Sequence, residues 1–194
     1  MLLAVLTATV PEQNGNAFDR SVEALMADMK SDGATAAFKL LSYLGSSIAI
    51  LGITLIASLI IGWWRGGLRG LSIIAGVGAA YAFNLLLKMW IDRSRPVSAW
   101  GIEADGASFP SGNAMLAMVM FGLVACTIIQ VRGVSNIVKF FSASFAVLLI
   151  LMMGLSRVYF HVHYITDILG GYTAGMAVIC LIMIIVHKIN KKEE

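Results

Sequence analysis

The sequence predicts an all-α fold, a polytopic transmembrane helix bundle with five full spans and an amphipathic interfacial helix. Three observations predict it. Mean hydropathy is +0.85 and 59% of the 194 residues are hydrophobic. Only 13% are charged, against about 25% in soluble domains. Five apolar stretches, at 46–64, 71–90, 112–131, 140–155 and 168–187, meet or approach the length a bilayer demands, roughly 20 residues per helical span.

The elements follow in order. Residues 1–10 are apolar but too short to cross a bilayer, and no charged side chain precedes them as in a signal peptide. They read either as the remnant of a sixth span truncated at the N-terminus, the favoured reading, or as a partly embedded arm. Phe18, Val22, Leu25, Met26 and Met29 recur at helical spacing, with Asp19, Arg20, Glu23 and Asp28 around the rest. That pattern fits a helix lying in the interface plane, and equally a short helix packed on the domain. Gly76, Gly78, Ala79 and Ala80 in the second span, and Gly170, Gly171, Ala174 and Gly175 in the fifth, allow helices to approach closely. The expected organisation is a single domain over 1–194. An N-terminal arm and amphipathic helix fill 1–45, the bundle 46–187 and a cytoplasmic tail 188–194.

Charge sets the expected orientation. Arg65, Arg69, Arg132, Lys139, Lys188, Lys191 and Lys192 share one side of the spans, and the positive-inside rule makes that side cytoplasmic. The loops at 91–111 and 156–167 then face outward, with the C-terminus inside. The net charge of +3 is small, and no basic cluster forms a nucleic-acid face. Cys126 and Cys180 lie in apolar runs and read as buried small hydrophobes. No cysteine–histidine cluster has zinc-ligand spacing.

Three polar stretches fall on the outward side. In the first, Lys88 and Arg95 stand seven residues apart before Pro96. Two cations at a membrane boundary are either snorkelling anchors or an anion site. Pro96 disfavours helix at Arg95, so Arg95 is expected to cap the span and turn inward. In the second, Pro110-Ser111-Gly112-Asn113 opens the third span. Taken alone it is a plain N-cap, although helix N-termini also attract anions. In the third, His163 and Asp167 are four apart, so the carboxylate can fix the imidazole tautomer and leave the other nitrogen to attack. Arg157, six residues earlier, offers a planar fork for phosphate oxygens. His161 reads as a structural histidine.

Together, Lys88-x6-Arg95-Pro96, then Pro110-Ser111-Gly112, then Ser156-Arg157-x5-His163-x3-Asp167, in this order and between spans, resemble the type-2 phosphatidic acid phosphatase superfamily. That superfamily includes lipid phosphate phosphatases and the bacterial phosphatases of phosphatidylglycerophosphate and undecaprenyl pyrophosphate. The resemblance implies hydrolysis of a phosphate ester or pyrophosphate on a membrane lipid, either a phospholipid or a polyprenyl phosphate. It implies His163 as the nucleophile that becomes phosphohistidine, and Asp167 as its orienter. Lys88, Arg95 and Arg157, with Ser111 and Gly112, would bind the phosphate. Phosphoryl transfer needs mainly positioning and electrostatic stabilisation, which three cations can supply, so no metal or other cofactor is implied.

The resemblance breaks at Asn113, where the family carries the histidine that protonates the leaving group. Asn113 donates a hydrogen bond but transfers no proton, and a general acid is worth about 10²–10⁴-fold in rate. Three explanations stay open: a substitution made deliberately to still the enzyme, a natural mark of a phospholipid-binding protein, or a proton supplied by another group such as His161. The otherwise intact constellation favours the first. The competing function is therefore a non-catalytic phospholipid-binding or lipid-moving protein. A small channel or transporter would explain intramembrane charge but not the ordered motifs.

Overall fold

The computed structural model describes residues 15–97 and 104–193, and the proposed remnant span at 1–10 lies outside them. Among the described residues seven helices run in order: α1 (Ala17–Asp28), α2 (Asp32–Leu44), α3 (Ser47–Arg65), α4 (Gly67–Ile91), α5 (Gly112–Ile129), α6 (Asn136–Tyr159) and α7 (Ile165–Glu193). The last five are long and apolar enough to cross a membrane, and no strand occurs among the described residues. The fourth expected stretch, 140–155, lengthens at both ends, because Asn136, Lys139 and Arg157 continue the helix beyond its apolar centre.

The spans alternate in direction. α3 leaves the polar end, α4 returns to it, α5 leaves, α6 returns and α7 leaves. α5 touches all four other spans. Half of its apolar window is buried, against 22% for α3 and α6, so α5 is the axis of the bundle. Met115, Leu116, Val119, Met120 and Leu123 of α5 pack on Ile50 of α3, Ile73 and Val77 of α4, and Val178, Ile179 and Ile182 of α7. Outward side chains such as Ile48, Leu59, Trp63 and Phe140 stay exposed, as expected where lipid is the solvent. Lipid tails give helices no hydrophobic reason to associate, so close packing must hold them. A Cβ on Gly171 would lie 2.7 Å from the Ser111 carbonyl oxygen, so only glycine lets α7 meet the start of α5 this closely. Of the expected small-residue stripes, Gly76 and Gly175 also sit at contacts, but Gly78 faces open space.

The polar end carries two helices where the sequence suggested one. α1 begins with a reciprocal cap, Asn16 Oδ1 accepting from the Asp19 amide while Asp19 Oδ2 accepts from the Asn16 amide. Its apolar residues divide. Val22 and Met26 pack inward beside Tyr159 and Phe160 of the α6–α7 corner, while Phe18, Leu25 and Met29 stay exposed. α2 lies on the polar end of α6, with Phe38 stacked on Tyr159 at 4.4 Å and Thr35 Oγ1 2.7 Å from the Tyr159 hydroxyl. Two expectations fail here. The helical pattern puts Asp19 on the solvated face of α1, but it is fully buried. Cys180, read as buried, is exposed on the outside of the bundle, and Cys126 is half-buried.

Candidate active site

The site forms where the polar ends of α4, α5, α6 and α7 converge. α4 ends at Ile91, and Asp92 caps it in left-handed geometry (φ 40°). Arg95 therefore lies beyond the helix and does not cap it, contrary to expectation. It reaches inward from the extended 92–97 segment. Its Nε donates to the Gly106 carbonyl (3.0 Å), Nη2 to Asp105 (2.9 Å) and Nη1 to Val162 (2.9 Å). Those bonds fasten the connection before α5 to the α6–α7 turn. The same Nη1 lies 3.3 Å from His163 Nε2.

His163 is buried in the α6–α7 turn. Its Nδ1 is 3.5 Å from Asp167 Oδ2, the i,i+4 pair the spacing suggested. Ser108 Oγ lies 3.4 Å from the same Nδ1 and donates to Asp167 Oδ2 at 2.5 Å. The Tyr164 amide adds a bond to Oδ2 at 2.8 Å. Burial pushes the His163 pKa down to about 4, against the hydrogen bond and charge of Asp167, while Arg95 and Arg157 push the same way as burial. His163 is thus a neutral ring at neutral pH.

A cavity of about 250 Å³ opens over this ring. Lys88, Arg95, Arg157, Gly112, Asn113 and His163 line it, with Ser47, Tyr81, Asn84 and Leu85. Lys88 Nζ donates to the Ala107 carbonyl at 2.8 Å, one of the three donors an ammonium carries. Arg157 Nη1 donates to Ser42 Oγ of α2 at 2.6 Å. The α5 N-terminus points at the cavity, where the amides of its first turn have no carbonyl a turn earlier to bond. A Cβ on Gly112 would sit 3.0 Å from Asn84 Oδ1, so glycine keeps this approach open. Asn84 Nδ2 in turn holds the Pro110 carbonyl at 3.1 Å.

The structure thus brings seven of the eight sequence-selected side chains or backbone positions together: Lys88, Arg95, Gly112, Asn113, Arg157, His163 and, behind the ring, Asp167. Ser111 stands apart. It is fully buried, its Oγ accepts from the Ala114 amide at 3.5 Å as a helix cap, and it does not line the cavity. His161 also lies elsewhere, with φ 52° and Nδ1 3.9 Å from Glu23 Oε1 on α1. Asn113 Oδ1 is 3.4 Å from Ser47 Oγ.

Sequence reasoning missed Arg93, Asp19 and Ser108. Arg93 is buried, with Nη1 2.6 Å from Asp167 Oδ1 and Nη2 2.8 Å from Asp19 Oδ2. Its guanidinium lies over the Tyr164 ring, 4.2 Å from the centroid. Breaking such a buried pair by removing one partner costs about 3–5 kcal/mol. The only available signal was an arginine two residues before Arg95, with an Asn16-x-x-Asp19 cap far upstream.

Comparison with known proteins places the chain in a family. The model of the PAP2 superfamily matches residues 69–191. The chain belongs to the PAP2 superfamily. This PAP2 chain is 29% identical over 151 residues to phosphatidylglycerophosphatase B of Bacillus subtilis (strain 168), covering 78% of this chain and 74% of that protein. The crystal structure of the transmembrane PAP2-type phosphatidylglycerolphosphate phosphatase from Bacillus subtilis superposes with a TM-score of 0.86 at 26% identity. That match covers 97% of this chain and 94% of that one. LpxE of Aquifex aeolicus shares the fold, with a TM-score of 0.70 at 17% identity over 89% and 99% of the two chains.

Proposed function

We propose that this PAP2 protein hydrolyses a phosphate ester or pyrophosphate on a membrane lipid through a phosphohistidine at His163. One observation carries the reading: His163 lies between Asp167 on one ring nitrogen and Arg95 on the other, beneath a cavity lined by Lys88 and Arg157. Nε2 attacks phosphorus and the bond to the leaving oxygen breaks. Water then attacks the phosphohistidine, releasing inorganic phosphate and restoring the ring. Lys88, Arg95, Arg157 and the first amides of α5 hold the equatorial oxygens, so the charge of the transition state meets fixed cations. Tyr81 and Leu85 join the cavity to the lipid-facing side of α4, which suits a substrate whose chains stay in the bilayer. Ser111 supports the α5 N-terminus without touching phosphate.

Orientation follows the charge. Arg65, Arg69, Arg132, Lys139, Lys188, Lys191 and Lys192 lie at the end opposite the site, where the short connections between spans carry no acidic residue, and the positive-inside rule supports a cytoplasmic C-terminus and an extracytoplasmic site.

Asn113 supports a second reading, a phospholipid-binding protein without turnover, because no proton reaches an alkoxide from its amide. A lipid diphosphate escapes that handicap, since its leaving group is itself a phosphate. Purified protein in detergent, given phosphatidic acid, phosphatidylglycerophosphate and undecaprenyl pyrophosphate, decides between the readings. Phosphate release supports hydrolysis, and saturable binding without release supports the second.

A further inference from the structure

We propose that Arg93 is a positioning residue, which ties the interfacial helix α1 to the His163–Asp167 pair through a buried Asp19–Arg93–Asp167 chain. The inference deepens the proposed phosphatase reading and rests on it. The two oxygens of Asp167 divide their partners. Oδ2 meets His163, Ser108 and the Tyr164 amide, while Oδ1 meets Arg93 at 2.6 Å. Arg93 is therefore the charged group that fixes the carboxylate's rotation from behind. Arg93 also donates to Thr166 Oγ1 at 2.8 Å, next to Asp167 in the first turn of α7.

Arg93 is in turn held by α1. Asp19 Oδ2 takes its other nitrogen at 2.8 Å, and Asp19 Oδ1 accepts from the Thr166 amide at 3.1 Å and the Thr166 hydroxyl at 2.8 Å. A carboxylate on α1 thus caps the first turn of α7 from another helix. Asp19, Arg93 and Asp167 are all buried, in an arrangement far more elaborate than docking a short helix requires. Asp19 does not line the cavity, and its hydrogen-bonded route to the His163–Asp167 pair runs through Arg93 and Thr166.

The chain has an electrostatic consequence. Facing His163 are Asp167 of α7, Arg157 of α6 and Arg95 of the connection, with Lys88 of α4 lining the same cavity. Facing Arg93 are Asp19 and Glu23 of α1, Asp167 and Tyr164. Arg93 offsets the Asp167 charge that favours the imidazolium, and Asp19 offsets Arg93. Removing Arg93 should raise the pH at which His163 protonates, and removing the charge of Asp19 should lower it. A purely structural role would not move one group in opposite directions.

The test reads ring resonances of histidine-labelled protein in detergent micelles, with kcat and KM for phosphate release measured on the same preparations. In Arg93→Met the His163 midpoint should rise by about one pH unit. In Asp19→Asn it should fall. In both, kcat per folded molecule should drop about 10- to 100-fold with KM nearly unchanged, and Arg93→Lys should recover part of the loss. Should Arg93→Met fail to fold, Asp19→Asn carries the same test alone. Unmoved His163 titration together with unchanged kcat overturns the proposal. A His163→Ala enzyme that still turns over would overturn the nucleophile instead, and the ring titration would still judge Arg93.

Discussion

Arg95 Nη1 lies 3.3 Å from His163 Nε2, and a guanidinium has only donors to offer. Nε2 must therefore accept, the ring proton sits on Nδ1, and it points to Asp167. On the proposed mechanism this tautomer leaves the lone pair on Nε2, the nitrogen that attacks once the Arg95 bond turns to the phosphate. Arg95→Lys keeps the charge but loses the fork that also bonds Asp105, Gly106 and Val162. Its kcat/KM for phosphate release should fall about 10²–10³-fold; a lysine variant within twofold of the parent would remove Arg95 from the site.

If His163 is the nucleophile as proposed, its neutral ring sets the acid side of the pH profile. Its protonation is pushed down to about 4, first by burial. Turnover through this nucleophile should hold as pH falls past the ordinary histidine range and be lost only near pH 4, in kcat/KM measured across buffers. Stability follows the same sign. The unfolded ring takes its proton near pH 6.5, so unfolding binds a proton that the folded site refuses. The contribution is complete above about 6.5 and declines as pH drops toward 4. An acid limb near 6.5 would mean a solvated or differently paired ring.

Asn113 makes the sharpest test of chemistry. Asn113→His returns a proton donor to the first turn of α5, on the cavity wall. Release from a lipid monophosphate should rise about 10²–10⁴-fold, and release from a lipid diphosphate much less, because its leaving group needs little protonation. The gain should survive EDTA if Lys88, Arg95 and Arg157 supply the positive charge as proposed. Equal gains on both substrates would defeat the general-acid account, and a strict magnesium requirement would defeat the cation cage.

What the sequence made legible follows from which constraints are local. A bilayer fixes the length and apolarity of a span, so all five could be read from hydropathy alone. The His163–Asp167 spacing is one helical turn, so it too was visible. Asp19, Arg93 and Asp167 meet across 74 residues on either side of Arg93, and no periodicity reports that meeting. Asp19 looked like a solvated position on an amphipathic helix, and its partner arginine stood inside a motif already explained by Lys88 and Arg95. Ser111 shows the converse. Its motif drew attention to the hydroxyl, while the fold uses that hydroxyl as a cap and presents Gly112 and Asn113 to the cavity.

Arg157 joins the cavity to α2. One nitrogen donates to Ser42 Oγ at 2.6 Å, which tethers a guanidinium that lines the cavity together with His163. Arg157→Lys has a single ammonium to meet both Ser42 and phosphate, so it should raise KM and lower kcat together despite the kept charge. Ser42→Ala removes only the tether. It should leave kcat within about threefold of the parent and cost less than Arg157→Lys in kcat/KM, because the fork proposed to meet phosphate is kept. Steady-state phosphate release from detergent-solubilised variants measures both. If Ser42→Ala proved as damaging as Arg157→Lys, the arginine would be acting as a strut for α2, and phosphate binding would rest on Lys88, Arg95 and the α5 amides.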